Sequence, residues 1–523
     1  MTGFSRTLAT LFLLTLAIPA AAQDGKIITN EDEIGGLYEG TFRGGLQHGK
    51  GTYRLPNGYE YSGDWVDGEI LGRGVARFPN GSVYEGDFVK GKPEGLGKIT
   101  MSDGGTYEGE WLAGVINGQG VAVYSNGVRY EGSFVQGQHH GKGVMQNPGG
   151  YEYNGDWVEG RKEGHAIITY PDGATYEGEI SDGQLHGVGT LTMPDGLHYT
   201  GDWVENQMHG TGTLTQPNGD VYTGPLDQGR RQGIGTQTHA NGDVYEGMFE
   251  DDLRHGTGTF TKTDGYTYTG DWLAGQIEGT GRITYPDGSI YEGELKDDQP
   301  HGIGKITYPD GSTYEGDWIA GVFEGTGTAT YANGVTYTGE FKNARNHGQG
   351  ILTESNGYRY DGGWLDGQRH GEAHVTYADG AVYTGSFVNS QRHGTGKLEV
   401  PGGFSYEGDW AEGKITGEGT AIFANGDVYV GSFVNGKRQG PGTMTYSSGQ
   451  TVSGNWNNGA PPPTADGSED GAEPQADTQA DPQGDPASGT PPPPADAENT
   501  KATGTGGDAG AGSNTGTGSQ TDN

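Results

Sequence analysis

Cysteine is absent from the 523 residues, which removes disulfides, thiolate metal sites and thiol catalysis together and leaves the redox compartment open. Positive charge is scarce: 31 lysines and arginines stand against 69 aspartates and glutamates, a formal net charge of -38. That balance repels phosphate backbones and anionic headgroups, so neither nucleic acid nor direct binding to an anionic membrane is expected. Large aliphatic residues are also in short supply. With hydrophobic residues at 31%, the chain cannot fill a core several layers deep. It holds instead 105 glycines and an aromatic fraction of 10%, a pairing that suits a thin sheet with rings lying on bare backbone.

The aromatics recur with a fixed period. Tyrosine stands at Tyr38, Tyr61, Tyr84 and onward in steps of 23 to Tyr429, without one insertion, and Val452 takes the nineteenth place. Counted from that tyrosine, glycine recurs at +2 (Gly40 to Gly454), at +11 (Gly49 to Gly440) and at +20 (Gly58 to Gly449). A period of this length marks a repeat architecture. In the first unit Tyr38, Gly40 and Phe42 alternate with polar residues, the pattern of a strand with one buried face. A Gly-rich loop and a second alternating stretch follow, and Pro56-Asn57-Gly58 turns the chain into the next unit. Each unit is therefore a β-hairpin. Pairing about the loop centre sets Phe42 opposite Gly51, Gly40 opposite Tyr53 and Tyr38 opposite Leu55, large against small.

Half of the full units carry a ring at +17, such as Tyr124, Tyr170, Tyr285, Tyr308, Tyr331 and Tyr377. Where Leu55, Asn147, Lys262, Glu354 or Val400 stands there, a ring appears four residues later, at Tyr59, Tyr151, Tyr266, Tyr358 or Phe404. One ring slot beside the turn is thus filled from either side, although Gln216 and His239 have no such substitute.

The Tyr314-Glu315-Gly316-Asp317-Trp318 opening, the His301-Gly302-Ile303-Gly304 centre and the P-D-G close resemble the MORN (membrane occupation and recognition nexus) repeat family. The resemblance runs from residue 38 to about 456. It implies an all-β fold: an elongated single-layer antiparallel meander of 23-residue hairpins, twisted, with an aromatic-lined concave face. It also implies protein–protein scaffolding, often with dimerisation, and an association with membranes and phospholipids. Fold transfers better than function, because the repeat generates a surface that is reused in many contexts.

The termini differ in kind. Residues 1–22 read as a secretory signal peptide: Arg6, an apolar stretch over 7–18, Pro19, then Ala20-Ala21-Ala22. A bacterial periplasmic or extracellular location follows. Residues 23–37 form a linker or a cap for the first strand, and 38–459 hold the array of eighteen full units and a partial one. Residues 460–523 make a tail rich in Pro, Ala, Gly and Thr, acidic and without an aromatic, that is expected to be disordered.

No catalytic constellation emerges, and neither enzyme activity nor a cofactor is expected. Nine histidines share position +10: His48, His140, His186, His209, His255, His301, His347, His370 and His393. Hairpins repeat about every 9–10 Å, too far for two of these to ligate one zinc, so they are expected to pack on neighbouring loops. Asp172, Asp195, Asp287 and Asp310 sit in P-D-G turns as turn formers.

Two functions of different class remain. One is a protein-interaction scaffold whose aromatic face accepts a partner segment, with homodimerisation or self-assembly as one form of it because a meander leaves two open edges. The other is glycan or cell-envelope polymer binding by the aromatic ladder. The expected contact stripe is Trp318, Trp364 and Trp410 with Tyr314, Tyr360 and Tyr406, in the most regular stretch. Tryptophan at +4 recurs every 46 residues except between Trp203 and Trp272, where the interval is 69. Pro225 and Arg230-Arg231 lie in that gap, so units Tyr222 and Tyr245 are expected to hold a bend or seam, or the scar of a unit lost by unequal duplication.

Overall fold

The computed structural model describes residues 28–32 and 34–463; the stretch expected to be a signal peptide, residues 1–22, and the tail beyond Pro463 lie outside them. The described chain divides into two compact units, 28–240 and 241–463. The division falls inside the stretch where the tryptophan interval lengthens. In each unit the strands follow one another as antiparallel neighbours in chain order, with no helix among the described residues.

The first hairpin sets the pattern. Strand β1 (Ile28–Glu31) lies against β2 (Leu37–Arg43), which pairs with β3 (Leu46–Arg54). The turn between β2 and β3 is only two residues long, Gly44 and Gly45, both at positive φ. In the next repeat Asp67 and Gly68 do the same at +49° and +92°. This is the type I′ geometry whose twist matches that of the flanking strands.

Register here differs from the sequence expectation, by two residues at Tyr38 and Gly40 and by four at Phe42. Gly40 faces Gly51, Tyr38 faces Tyr53 and Phe42 faces Gln47. The tight turn moves the fold point toward β2, and a bulge around Gly49, at φ +82°, absorbs the extra residues on the return strand. Glycine therefore meets glycine rather than a ring. The tyrosine ring of the same hairpin lies diagonally across the pair. A Cβ on Gly40 would come 2.7 Å from Tyr38 Cζ, and one on Gly51 would come 2.5 Å from Tyr38 Cε2. A side chain at either place therefore presses on the ring or on the facing strand, which favours glycine there.

Each ring is also anchored at its tip. Tyr38 Oη donates to the Thr41 carbonyl at 3.0 Å, and all eighteen repeat tyrosines make this bond three residues on, as Tyr314 does to Asp317 at 2.9 Å. Phe or Trp at +4 packs edge-on between successive tyrosines, Tyr84 lying 5.0 Å from both Phe88 and Trp111. A second row of rings forms at the opposite turn, where Tyr59 meets Phe78, Tyr151 meets Tyr170 and Tyr358 meets Tyr377, each pair about one ring-width apart. Rings from +21 and +17 thus stand beside one another in neighbouring repeats.

Candidate functional site

The six residues expected to form a contact stripe are found inside the sheet's own core. Trp318, Trp364 and Trp410 are 3%, 4% and 4% exposed, and Tyr314, Tyr360 and Tyr406 are at or below 1%. Each indole N–H is already used: Trp318 donates to the Gly304 carbonyl at 3.0 Å, Trp364 to Gly350 at 3.1 Å and Trp410 to Gly396 at 3.1 Å. All nine tryptophans make this bond to the +13 glycine of the preceding repeat. Tryptophan here ties one hairpin to the next.

What closes the ring face is position +9, which the sequence reading did not single out. Its side chain lies over the tyrosine ring, on the side away from the glycines. Phe323 stacks on Tyr314, His139 stacks on Tyr130, and Arg392 lies 4.4 Å from the Trp410 ring. Arg369 is 4% exposed and donates to Tyr358 Oη at 2.7 Å. Burial lowers the pKa of Lys162, whose ammonium sits 4.7 Å above Tyr151 and bonds its hydroxyl at 2.9 Å. Cations here act as lids on aromatic faces. Varied chemistry at +9 hides the position in the sequence, since isoleucine, proline, histidine and arginine all cover a ring.

Several +10 residues, two of the nine histidines among them, have a specific structural use. His48 Nδ1 accepts the backbone N–H of Asp67 at 3.3 Å, and His347 Nδ1 that of Asp366 at 3.5 Å. In other repeats Glu94, Asn117, Glu163, Glu324 and Gln439 accept the bond at the same place. The residues share an acceptor at a common reach, and it caps the turn of the next hairpin. Among the described residues no group of three His, Cys, Asp or Glu side chains could hold a metal ion.

Acidic residues likewise serve the backbone. Asp172, Asp195, Asp287 and Asp310 each accept the amide two residues on, at 2.8–3.0 Å. Aspartate at +3 accepts the bulge amide, as Asp317 does from Thr326 at 2.6 Å and Asp202 from Thr211 at 2.8 Å. That explains the G-D-W string, which the sequence reading left without a role.

A family model, the MORN repeat, matches eighteen successive stretches, from residues 38–58 to 429–451. The chain belongs to the MORN repeat family. No curated protein matches it. Among solved structures, similarity is found to the TCP domain of SAS-4 from Drosophila melanogaster in complex with a proline-rich motif of Ana2. That match has 16% identity, covers 30% of this chain and 85% of that one, and has a TM-score of 0.21. The TCP10 domain of Danio rerio CPAP is 15% identical over 47% of this chain and 98% of its own, at a TM-score of 0.16. A streptogramin B lyase is 12% identical over 57% and 93%, at 0.11. Likeness at this level carries nothing about what the MORN array does.

With the rings enclosed, the exposed apolar side chains of the array lie elsewhere. In the first compact unit five consecutive hairpins carry one at +5, beside the turn: Val66, Val89, Leu112, Val135 and Val158. They are 37% to 55% exposed. Val115 lies directly across from Leu112 in the strand pair and adds to the row.

Proposed function

We propose that this protein is a non-catalytic scaffold that engages protein partners along the row of exposed apolar residues at its hairpin turns. The observation that carries the reading is the run Val66, Val89, Leu112, Val135 and Val158, one residue per hairpin and each open to solvent. At two strands per repeat the row advances about 9–10 Å per residue. An extended or helical partner could meet several of these side chains at once, and repeated small contacts of this kind mark interaction surfaces. Other strongly exposed apolar residues, such as Leu96, Val188, Ile234 and Ile303 at +12, stand in repeats that are not consecutive.

The aromatic stripe supports the scaffold from within. Glycan stacking on the ladder would need open ring faces, and the rings in question are buried. Export rests on residues 1–22, and the mass of the mature protein tests it directly. For the scaffold, the test is crosslinking in the native cells with wild type and with the Leu112→Glu/Val135→Glu double variant. Partners captured by wild type should be lost from a variant that remains folded by circular dichroism. Retention of every partner would move the binding surface away from this row.

A further inference from the structure

The array ends on a repeat that lacks its ring. Val452 replaces the tyrosine, so its own side chain cannot cover Gly454 in the usual way. Another ring does. A Cβ on Gly454 would come 2.8 Å from Cγ and 2.9 Å from Cβ of Pro462. Gly40 meets its tyrosine at the corresponding position.

The chain reaches this place by completing one more turn. Asn458 and Gly459 take φ of +48° and +89°, the usual two-residue turn of the array. Asn457 and Ala460 form an isolated antiparallel bridge, with bonds of 3.1 and 3.0 Å, so a returning strand begins. Pro461, Pro462 and Pro463 then follow. Three successive residues without an N–H cannot continue a ladder. The turn is held to the preceding repeat from both sides. Gly459 N–H donates to the Arg438 carbonyl at 2.9 Å, and Arg438 Nη2 donates to the Gly459 carbonyl at 2.9 Å. The same guanidinium lies 4.6 Å from the Trp456 ring.

The last strand, Thr451–Trp456, would otherwise present a free edge, and such edges recruit strands from other chains. We propose that residues 460–463 are a built-in stop that closes this edge against strand addition by a second copy of the chain. Pro462 takes the place of the missing ring, the three prolines withhold donors, and the Arg438–Gly459 pair anchors the turn. The stop would set the length of the array and keep copies apart.

Sedimentation velocity on the full chain tests this across a range of concentrations. Wild type should remain one species. The Pro461→Thr/Pro462→Thr/Pro463→Thr variant regains three donors and loses the covering ring. It should at least double its weight-average mass as concentration rises, with its sheet signal kept. If that variant does not fold, the milder Pro462→Thr decides by the same readout. A folded variant that sediments as wild type at every concentration overturns the proposal. So does a wild-type protein that already associates through Thr451–Trp456, as mapped by crosslinking.

Discussion

Phe323 lies flat on Tyr314, ring centroids 3.9 Å apart and planes within 9°, and His139 holds the same place on Tyr130 at 3.7 Å and 19°. A titratable ring and a purely apolar one therefore do one job. Burial pulls the pKa of His139 down from 6.5 to about 4. Between those values the unfolded chain binds a proton that the folded chain refuses. The stabilisation from the neutral ring is complete above pH 6.5 and is lost as pH falls through about 4. His139→Phe should remove this component. Unfolding free energies from urea titrations at pH 7 and pH 4.5 should diverge more for wild type than for the variant, by on the order of 2 kcal/mol. Parallel pH dependence in the two proteins would reject the assignment.

The two glycines under each ring should not be equally tolerant. A Cβ on Gly316 would meet backbone, with Gly327 Cα at 2.5 Å and the Thr326 carbonyl closer still. One on Gly327 would meet the Tyr314 side chain first, its nearest atom at 2.6 Å. A ring can shift and a paired strand cannot. Nature has made the easier change twice, since Ala166 faces Gly155 and Ala373 faces Gly362. Gly316→Ala should cost roughly 1–3 kcal/mol and Gly327→Ala clearly less, measured by denaturant unfolding. Equal losses would contradict the diagonal-ring geometry.

Trp364 should act through stability. Phenylalanine already fills the +4 slot in alternate repeats, at Phe341 and Phe387, so Trp364→Phe keeps the packing and loses the bond to Gly350. A cost of about 1–3 kcal/mol is expected for the carbonyl left buried. Trp364→Ala opens a cavity as well and should cost roughly 3–5 kcal/mol. Where either variant stays folded, partner capture should be unchanged.

The +10 acceptor can be tested where it is a carboxylate. Glu324 Oε2 accepts the Asn343 amide at 2.9 Å across the repeat boundary. Glu324→Ala should lose about 1 kcal/mol, while Glu324→Gln keeps an acceptor oxygen and should lose little. Hydrogen exchange at Asn343 reports on the same bond, and unaltered exchange in the alanine variant would rule out the cap.

Periodicity made the hairpins legible before any coordinates. Tyr38 and its seventeen successors, the glycines at +2 and +11 and the P-D-G turns determine an antiparallel meander, because strand alternation and turn chemistry are local and each repeat restates them. The role of Asp172 and its kind in their turns was legible for the same reason. Three things were decided only in the folded chain. Register depended on a two-residue turn and a bulge at Gly49, and the glycines that permit both fit either pairing on paper. The fate of the rings depended on +9, where side chains as different as Phe323 and Arg392 cover the same face; shape, not residue type, is selected there. Pro462 over Gly454 joins the array to its tail, and no period could announce a contact that occurs once. Local rules repeat and so can be read from sequence, whereas closure of a face or an edge depends on which atoms arrive there.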